Sequence, residues 1–456
     1  METTSARPVV VGPGGSGVVA HVGLHGLCAF ADRLGLGDEL SSAIPRPSER
    51  APLHDRGKVL VHAMAMLAGG GEACADIEFL RAEERLFGFV PSDSTLWRTF
   101  HEITPGTREE VKRAIADVRA EVWRRSSVTS GTAPVVLDVD ASLIEIHNEG
   151  KEGTGPTYKG GYGFHPLLMF ADATGELLSA MLRPGNAGAN DIGHHVVVLD
   201  EAIAQLPGDV TVGHREGDEA SLVRRDVVVR ADSAGCTTGF TAACRARNVG
   251  FAVVARSTRK ITEAIFSTLV SEECFSPAIR QDGELREGAA VIELTELVDL
   301  SSFPTGTRLI VRREPLHPGA QQSLFPSLEH RYWGFYTDQA GDPVALDAFM
   351  RAHAHVEQHI SRLKDSGLCR FPFSDLEANR NWLMVVAAAA DLVRWFQLLC
   401  CHGDLAGARP KQLRWSIFHA PGRLVRSARR SFVRILDGWP SADAILGIYR
   451  RIALIT

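Results

Sequence analysis

Residues 134 to 255 alternate between strand-like and helix-like segments in an order that few folds can accommodate. Three strand-like runs come first, “PVVLDVD”, “FHPLLMFAD” and “LLSAMLRPG”, and the turn “ATGE” joins the last two. Helix and strand then alternate twice, in “NDIGHHVVVLDEAIAQL” with Asn190 as predicted N-cap, “VVVRAD”, “CTTGFTAACRARN” and “VGFAVVAR”. This order predicts three antiparallel strands and two further strands added in parallel through helical crossovers.

A mixed sheet of this kind is the plan of a ribonuclease-H-like core, so the predicted fold class is α/β. The core is predicted to occupy residues 131–255 and to resume over residues 344–400, where residues 344–366 form one long helix. Between the two parts, residues 256–343 are predicted to form a β-rich insertion, with the strand-like pieces “AAVIELTELV”, “RLIVRRE” and “HRYWGFYTD”.

The N-terminal region, residues 1–130, is predicted to be a helical domain, with helices from about residue 57 to residue 125. Its segment “SDSTLWRTFHEI” begins a helix after a predicted N-cap at Ser92. Short helices that end in such a segment are compatible with a helix-turn-helix, and a small bundle that does not touch DNA fits equally well. The helix-turn-helix interpretation places three side chains near DNA: Thr95, Trp97 and Arg98.

Charge is unevenly distributed along the chain. The 456 residues carry a formal net charge of −6, but residues 401–456 hold ten Arg or Lys residues against three acids, which leaves −13 on the rest. A basic region beside an acidic body is consistent with one surface that contacts DNA phosphates and carboxylates elsewhere that hold metal. We predict a basic helical region at 401–456 with Arg426 and Arg430 as DNA contacts, although a solvated helix face would also explain single arginines.

The composition, with 45% hydrophobic and 23% charged residues, is that of an ordinary globular protein. The eight cysteines include no Cys-x-x-Cys pair, and the N-terminus lacks the pattern of a secretion signal, which favours a reducing cytoplasm. The most apolar stretch starts at Trp382 and is interrupted by Asp391 and Arg394. It therefore predicts a buried helix, and we expect no contact with a membrane.

Aspartates stand at the ends of two predicted strands. Asp138 and Asp140 are two residues apart at the end of the first strand, so both side chains project from the same face. Asp232 ends the strand “VVVRAD”. Because ligands collect at the carboxyl ends of strands in α/β sheets, we expect these carboxylates to lie close together.

The segment “HAHVEQHISRLKDSG”, residues 353–367, allows either a histidine metal site or a single acid on a helix. At about 100° per residue, His355 and His359 share one side of the helix, whereas Glu357 and Lys364 share another, beside the apolar stripe. The histidine pair has no third ligand in view, which disfavours zinc. The pattern therefore favours Glu357 as a third carboxylate and Lys364 as a contact to DNA phosphate.

Oxygen ligands from three separate elements suit Mg²⁺ or Mn²⁺ better than zinc. Carboxylate trios of this kind typically hold two ions that act together in phosphoryl transfer. Each acid also has a structural alternative, because strand-end aspartates often cap turns and a glutamate on a helix is usually solvated.

The segments “LDVDAS”, “RADSAG” and “VEQHISRLKDSG” resemble the three catalytic blocks of the Asp-Asp-Glu (DDE) insertion-sequence transposases. The likeness covers most of the chain and is strongest to the bacterial cut-and-paste branch, whose ribonuclease-H-like core is interrupted by a β-rich insertion. By position, the resemblance implies Asp140, Asp232 and Glu357 as catalytic and metal-binding residues. Asp138 is the alternative for the first acid.

One signature of that family runs Tyr, two residues, Arg, three residues, Glu, six residues, Lys. Glu357 and Lys364 fit the signature, but Met350 stands at the Tyr position and His353 at the Arg position. The phosphate contact of the family's arginine would then fall to His353, or to Arg351 from a nearby turn.

The resemblance implies metal-dependent cleavage at the inverted repeats of a transposon and joining of the freed 3′ ends to target DNA. It further implies an oligomer, a dimer or larger, on double-stranded DNA in the bacterial cytoplasm, associated with the nucleoid. Arg312 and Arg313 of the insertion are predicted DNA contacts, and Trp333 either contacts DNA or packs in the sheet. A ribonuclease-H-like nuclease without strand transfer, or a catalytically silent DNA-binding relic, are the alternatives.

Overall fold

The computed structural model describes residues 15–45, 53–147, 150–267, 270–316, 330–427 and 430–455. Residues 1–14, the start of the predicted N-terminal domain, lie outside this set. Over residues 15–45 and 53–130, the N-terminal region is mainly helical and has one short strand, β1 (Val18–Val19). Its helices are α1 (Val22–Arg33), α2 (Leu36–Ala43), α3 (Arg56–Gly69), α4 (Glu78–Arg81), α5 (Glu84–Phe87), α6 (Asp93–Glu102) and α7 (Pro105–Arg125).

Side-chain caps explain where several of these helices begin. The Asp55 carboxylate accepts a hydrogen bond from the Lys58 amide at the start of α3. Ser92, as predicted, caps α6 by accepting from the Thr95 amide. Each cap satisfies one of the amide groups that a helix leaves unpaired in its first turn.

The central sheet begins with β2 (Val135–Ala141). A small separate sheet follows, formed by β3 (Ile144–Glu145), β4 (Gly155–Pro156) and β5 (Tyr162–Phe164). The central sheet then continues with β6 (Leu167–Ala171), β7 (Glu176–Met181), β8 (Val227–Ala231) and β9 (Val249–Val254). The spatial order is β7-β6-β2-β8-β9, in which β6 is antiparallel to β2 and to β7, while β8 and β9 are parallel to β2 and to each other. The predicted ribonuclease-H-like α/β core is therefore confirmed.

Helices connect the parallel strands, as the alternation of periods predicts. They are α8 (Ile192–Ala204) and α9 (Gly208–Thr211) before β8, and α10 (Thr238–Arg245) before β9. The predicted N-cap of α8 was wrong by one residue, because Asp191 rather than Asn190 accepts the hydrogen bond from the His194 amide. A carboxylate at this position is also favoured by the helix dipole.

The β-rich insertion extends the central sheet instead of forming a separate one. After α11 (Arg259–Ile265) it contributes β10 (Ser276–Ile279), β11 (Leu285–Glu293), β12 (Arg308–Pro315) and β13 (His330–Thr337). Strand β13 pairs antiparallel with β9, so the described part of the sheet has nine strands in the order β10-β11-β12-β13-β9-β8-β2-β6-β7.

The long helix predicted over residues 344–366 is interrupted. It consists of α12 (Pro343–Arg351), a 3-10 turn over Ala352–Ala354 and α13 (His355–Leu363). A wider π-type turn over Lys364–Leu368 follows, and within it Gly367 has a φ of +110°, which suits glycine. The prediction of one continuous α-helix was therefore wrong. The tighter 3-10 turn changes the angle between successive side chains, and with it the directions in which His353 and His355 point.

Helix α14 (Leu376–Cys400) runs through the largest hydrophobic core of the protein. By length and composition, this one described helix could cross a membrane, but 72% of its most apolar window is buried inside the protein. Its charged residue Asp391 accepts hydrogen bonds from Arg119 of α7 at 2.6 Å and from the Leu177 amide of β7 at 2.8 Å. Asp391, which interrupts the apolar stretch, therefore links α14 to α7 and to β7 in the core.

The N-terminal helices share this core with the sheet. Leu60 of α3, Val118 of α7, Phe170 of β6, Val356 of α13 and Trp382 of α14 belong to one cluster of buried side chains. Residues 1–130 were predicted as a domain of their own, whereas the described part of this region packs directly on β6, α13 and α14.

The C-terminal region was predicted to be helical and is only partly so. It contains α15 (Asp404–Gly407), α16 (Pro410–Leu413), the hairpin strands β14 (Gly422–Ser427) and β15 (Arg430–Ile435), and α17 (Ala442–Leu454). Leu424 and Val433 lie opposite each other in the hairpin and both pack against the large core. Their alternation with exposed arginines is a period-two pattern, which favours strands over a helix.

Candidate active site

Asp140 and Asp232 lie side by side at the carboxyl ends of adjacent parallel strands. The last paired residues of β2 and β8 are Val139 and Ala231, so the two aspartates occupy the next position on each strand. Neighbouring strands are about 4.8 Å apart, which brings the two carboxylates to one edge of the sheet. Both residues are half-buried. The expected meeting of these acids at the carboxyl edge is thus observed.

The ionised form of Asp140 is disfavoured where it stands. Burial raises the pKa of Asp140, the charges of Asp232 and Glu357 raise it further, and the result is a value of about 6. A hydrogen bond from the Ala141 amide to Asp140 Oδ1 at 2.7 Å, together with the charge of His353, opposes this rise. Carboxylates that repel one another in this way gain stability when a cation lies between them.

Glu357 approaches the same edge from the first turn of α13. Val356, Ile360 and Leu363 are buried in the large core and fix the helix on the sheet, while Glu357 is exposed. Among the residues that the structure describes, no three His, Cys, Asp or Glu side chains are close enough to enclose a metal ion as they stand. The donor set of three carboxylates nevertheless fits a hard divalent cation such as Mg²⁺.

Asp138, the alternative first acid, is committed to other partners. Its side chain is fully buried and accepts hydrogen bonds from Arg230 Nε at 2.9 Å, Arg230 Nη2 at 2.7 Å and His353 Nδ1 at 2.8 Å. Burial alone would raise the pKa of Asp138, but the hydrogen bonds from His353 and Arg230 outweigh it and hold the pKa below its usual range. Because both oxygens of Asp138 are engaged, the geometry favours Asp140 over Asp138 as the first acid.

The family of the chain is decided by a comparison over its whole length. A family model described as transposase DDE domain group 1 matches residues 1–456. The chain belongs to this transposase family. No curated protein matches it. One solved structure, a cryo-EM structure of the piggyBac transposase synaptic complex with hairpin DNA, is similar with a TM-score of 0.43 and 14% identity, over 87% of this chain and 80% of the other.

His353 is a basic residue of the transposase beside Asp140. Its Nδ1 bonds to Asp138, its Nε2 has no hydrogen-bond partner among the described residues, and its charge acts on Asp140. Arg351, the other predicted substitute for the family's arginine, is occupied: its Nε donates to Asp347 Oδ2 at 2.9 Å and its Nη2 donates to the Ile279 carbonyl. This arrangement favours His353 over Arg351 as the substitute that contacts phosphate.

Two arginines of the insertion have acidic partners in the transposase. Arg312 is 9% exposed and donates to Asp347 Oδ1 at 2.8 Å, an arrangement that disfavours the predicted contact with DNA. Arg313 is half-buried, pairs with the exposed Glu272 and lies 3.9 Å over the Phe275 ring. Since a buried charge needs a partner more than a solvated one does, the ion pair of Arg312 stabilises the packing of the insertion. Trp333, by contrast, is 44% exposed and lies under the Arg331 guanidinium.

The histidine pair of α13 faces an acid that sequence reasoning did not assign. His355 Nδ1 donates to Asp172 Oδ1 at 3.0 Å, and His359 Nε2 lies 4.0 Å from the same oxygen. Burial lowers the pKa of His359 to about 4. Asp172 also pairs with Arg230 at 2.9 Å. His355 therefore belongs to a hydrogen-bonded cluster with Asp172, Arg230 and Asp138, whereas the buried ring nitrogens of His359 have no hydrogen-bond partner among the described residues.

Arg230 is the residue of the site that sequence reasoning missed. It is 1% exposed, donates to Asp138 and to the Phe349 carbonyl, and pairs with Asp172. The sequence contained a signal, because an arginine inside the apolar strand “VVVRAD” must be buried and therefore paired. It lies two residues before Asp232, so both side chains project from one face of β8.

Of the DNA-contacting residues predicted outside the core, most are exposed to solvent but one is buried. On α6, Trp97 is 49% exposed and Arg98 is also exposed, but Thr95 is buried and hydrogen-bonded to Ser92. A direct contact from Thr95 to DNA is therefore excluded in this conformation. Arg426 and Arg430 are exposed on the C-terminal hairpin, in strands instead of the predicted helix. Lys364, directly after α13, has no ion-pair partner within the described ranges.

Proposed function

We propose that the transposase cuts an insertion sequence at its terminal inverted repeats and joins the freed ends to target DNA, with Asp140, Asp232 and Glu357 as its catalytic residues. The observation that carries the proposal is the placement of Asp140 and Asp232 on neighbouring strand ends, where burial and, to a smaller extent, the charges of Asp232 and Glu357 raise the pKa of Asp140. Mutually repelling carboxylates at an open sheet edge favour a cation site over a turn cap or a solvated face.

The three acids would hold two Mg²⁺ or Mn²⁺ ions, and bound ions of this kind activate the attacking oxygen and stabilise the leaving oxygen in phosphoryl transfer. Glu357 is exposed in the first turn of α13, so its side chain can turn towards the strand edge without disturbing the buried face of the helix. His353 Nε2 and Lys364 Nζ would donate to the oxygens of the scissile and neighbouring phosphates. Asp138 and Arg230 keep His353 in place.

DNA would approach over the exposed side of α6 and the C-terminal hairpin. Trp97 and Arg98 on α6 and the hairpin arginines offer exposed aromatic and cationic groups at the surface. Pairing of two transposon ends would require at least a dimer on DNA, and we place the reaction in the bacterial cytoplasm on the nucleoid. Both the dimer and the bacterial cytoplasm are implied by the family resemblance alone.

The experiment is an excision and joining assay with the full-length chain. A plasmid carries a marker between the DNA segments that flank the coding sequence, and Mg²⁺-dependent excision and joining to a second plasmid are measured. Asp140→Asn, Asp232→Asn and Glu357→Gln are each expected to abolish both steps while DNA binding persists. The matched control is Asp117→Asn, which removes an exposed acid from α7 and should leave excision unchanged.

The outcomes separate the proposal from its alternatives. Excision without joining in the unmodified chain would favour a nuclease that lacks strand transfer. DNA binding without any metal-dependent cleavage would favour a silent relic. Full excision by any one of the three amide variants would remove that residue from the catalytic set.

A further inference from the structure

The C-terminal hairpin presents one face that is basic and unpartnered. In β14 and β15 the opposite pairs are Arg423 with Arg434, Val425 with Phe432, and Ser427 with Arg430. Because residues two apart on a strand and directly opposite across a ladder share a face, these six side chains lie on one side of the hairpin. We call this set the basic face.

The basic face points to solvent. Its three arginines are exposed and Phe432 is 47% exposed. The opposite face carries Leu424 and Val433, which pack against the large core, so the hairpin has a defined inner and outer side. The short strand β1 covers only the base of β14, at Gly422 and Arg423, and the rest of the described hairpin is a two-stranded ribbon.

The charges of the basic face are uncompensated. Arg423 and Arg434 stand directly opposite each other, an arrangement that destabilises a ladder because like charges repel. The sequence from His419 to Leu436 contains no Asp or Glu. Nor does any arginine of the basic face form an ion pair with another residue that the structure describes. Elsewhere many arginines do have acidic partners, including those buried in the insertion and beneath the active site.

The spacing of the charges suits a DNA groove. Arg423 and Arg434 form one positive end of the basic face, and Arg430 forms the other, four residues along the ladder. Four residues of a strand span about 13 Å, which is close to the width of about 12 Å of the major groove of B-DNA. Val425 and Phe432 lie between the two ends, where apolar contacts to thymine methyl groups are made in that groove.

We propose that the basic face binds the major groove of double-stranded DNA, with Arg423 and Arg434 on one phosphate row and Arg430 on the other. The inference rests on the proposed function, because the basic face would be a second contact, in addition to the active site, with the DNA that is cut. It assigns the binding to the outer face of the hairpin and not to the basic C-terminal region as a whole. Arg426 lies on the inner face and is therefore not part of it.

The test measures the binding of the full-length chain to a 30-base-pair duplex of arbitrary sequence by fluorescence anisotropy, in EDTA, over a series of KCl concentrations. Arg423→Gln, Arg430→Gln and Arg434→Gln are each expected to weaken binding and to reduce the slope of log K against log salt by about 1. Arg450→Gln is the matched control, because Arg450 is an exposed arginine on α17, outside the hairpin. It should leave the slope unchanged.

Three results would overturn the inference. The first is an unchanged slope in the combined variant Arg423→Gln, Arg430→Gln and Arg434→Gln. The second is an equal loss from Arg426→Gln, which would mean that the two faces are not distinguished. The third is a loss confined to single-stranded DNA, measured in parallel, which would make Phe432 a stacking platform for unpaired bases. Asp140→Asn, assayed for cleavage and not for binding, reports on the proposed function separately.

Discussion

His353 Nδ1 donates a hydrogen bond to Asp138 Oδ1 over 2.8 Å and thereby ties the segment that carries Glu357 to the central strand β2. The Asp138 carboxylate also accepts hydrogen bonds from Nε and Nη2 of Arg230. Asp138 thus links strand β8, through Arg230, and the segment that carries Glu357, through His353, to strand β2. The geometry of the three acids depends on this buried residue.

Replacement of Asp138 by Asn is expected to destabilise the fold. The amide keeps the volume but leaves the buried Arg230 without its main counter-charge, a change that costs about 3–5 kcal/mol when one partner of a buried ion pair is removed. The free energy of unfolding in urea measures the effect. Asp140→Asn, two residues along the same strand, is the control and should cause no loss, because Asp140 has no cationic hydrogen-bond partner among the described residues. Equal stability of Asp138→Asn and the parent would contradict the assignment.

The stability of the parent chain is expected to depend on the ionisation of Asp140. Its pKa is raised from an ordinary value of 3.8 to about 6 in the fold, so the folded state holds this proton more tightly than the unfolded state does. Stability should therefore fall as pH rises from about 4 to about 6 and stay lower above, by at most about 3 kcal/mol and less where solvent screens the charge. Asp140→Asn removes this contribution.

The measurement for Asp140 compares urea unfolding of the parent and of Asp140→Asn between pH 4 and pH 8, in EDTA. The two should be equally stable near pH 4, and the variant should be the more stable above pH 6. A constant difference across the whole range would show that the ionisation of Asp140 does not carry the effect.

The core of the fold was predictable because its signals are local. Strands of β-branched residues and amphipathic helices alternate from “PVVLDVD” to “VGFAVVAR”. The connections between them are short, so the strands can pair in one order only. The meeting of Asp140 with Asp232 followed from that order, since the carboxyl ends of adjacent parallel strands share an edge. Glu357 could not be placed by a strand pattern; the helical periodicity of residues 353–367 favoured it, and the family resemblance supported the choice.

The features that were not predictable depend on contacts between distant parts of the chain. The 3-10 turn at Ala352–Ala354 lets His353 reach Asp138 and His355 reach Asp172, although a regular helix would point the two rings in nearly opposite directions. The helical wheel of this segment was therefore only a partial guide. Likewise, the burial of Arg312 depends on Asp347, 35 residues away, and no local pattern reports that pairing.

His353 is expected to contribute to DNA cleavage as the basic group beside Asp140. Its Nδ1 is held by Asp138, so Nε2 is the nitrogen available to a phosphate oxygen. His353→Ala should lower the rate of Mg²⁺-dependent strand cleavage about 10²-fold, as the loss of one preorganised donor does elsewhere. His353→Arg, which restores the residue of the family signature, should retain most of the rate. Gln358→Ala, an exposed change on the same helix, is the control. An unaltered rate in His353→Ala would exclude the contact.

Divalent cations are expected to stabilise the folded chain through the three acids. A ligand that binds only the folded state at 100 times its Kd adds about 2.7 kcal/mol, so Mg²⁺ or Mn²⁺ should raise the Tm by a few degrees in the absence of DNA. Relief of the repulsion that raises the pKa of Asp140 supplies part of this gain. Asp140→Asn and Asp232→Asn should each lose the cation-dependent shift, whereas Asp117→Asn, an exposed change on α7, should keep it. If Asp140→Asn and the parent respond equally to Mn²⁺ in differential scanning calorimetry, the cation binds elsewhere, and the sheet edge is not the metal site in the free protein.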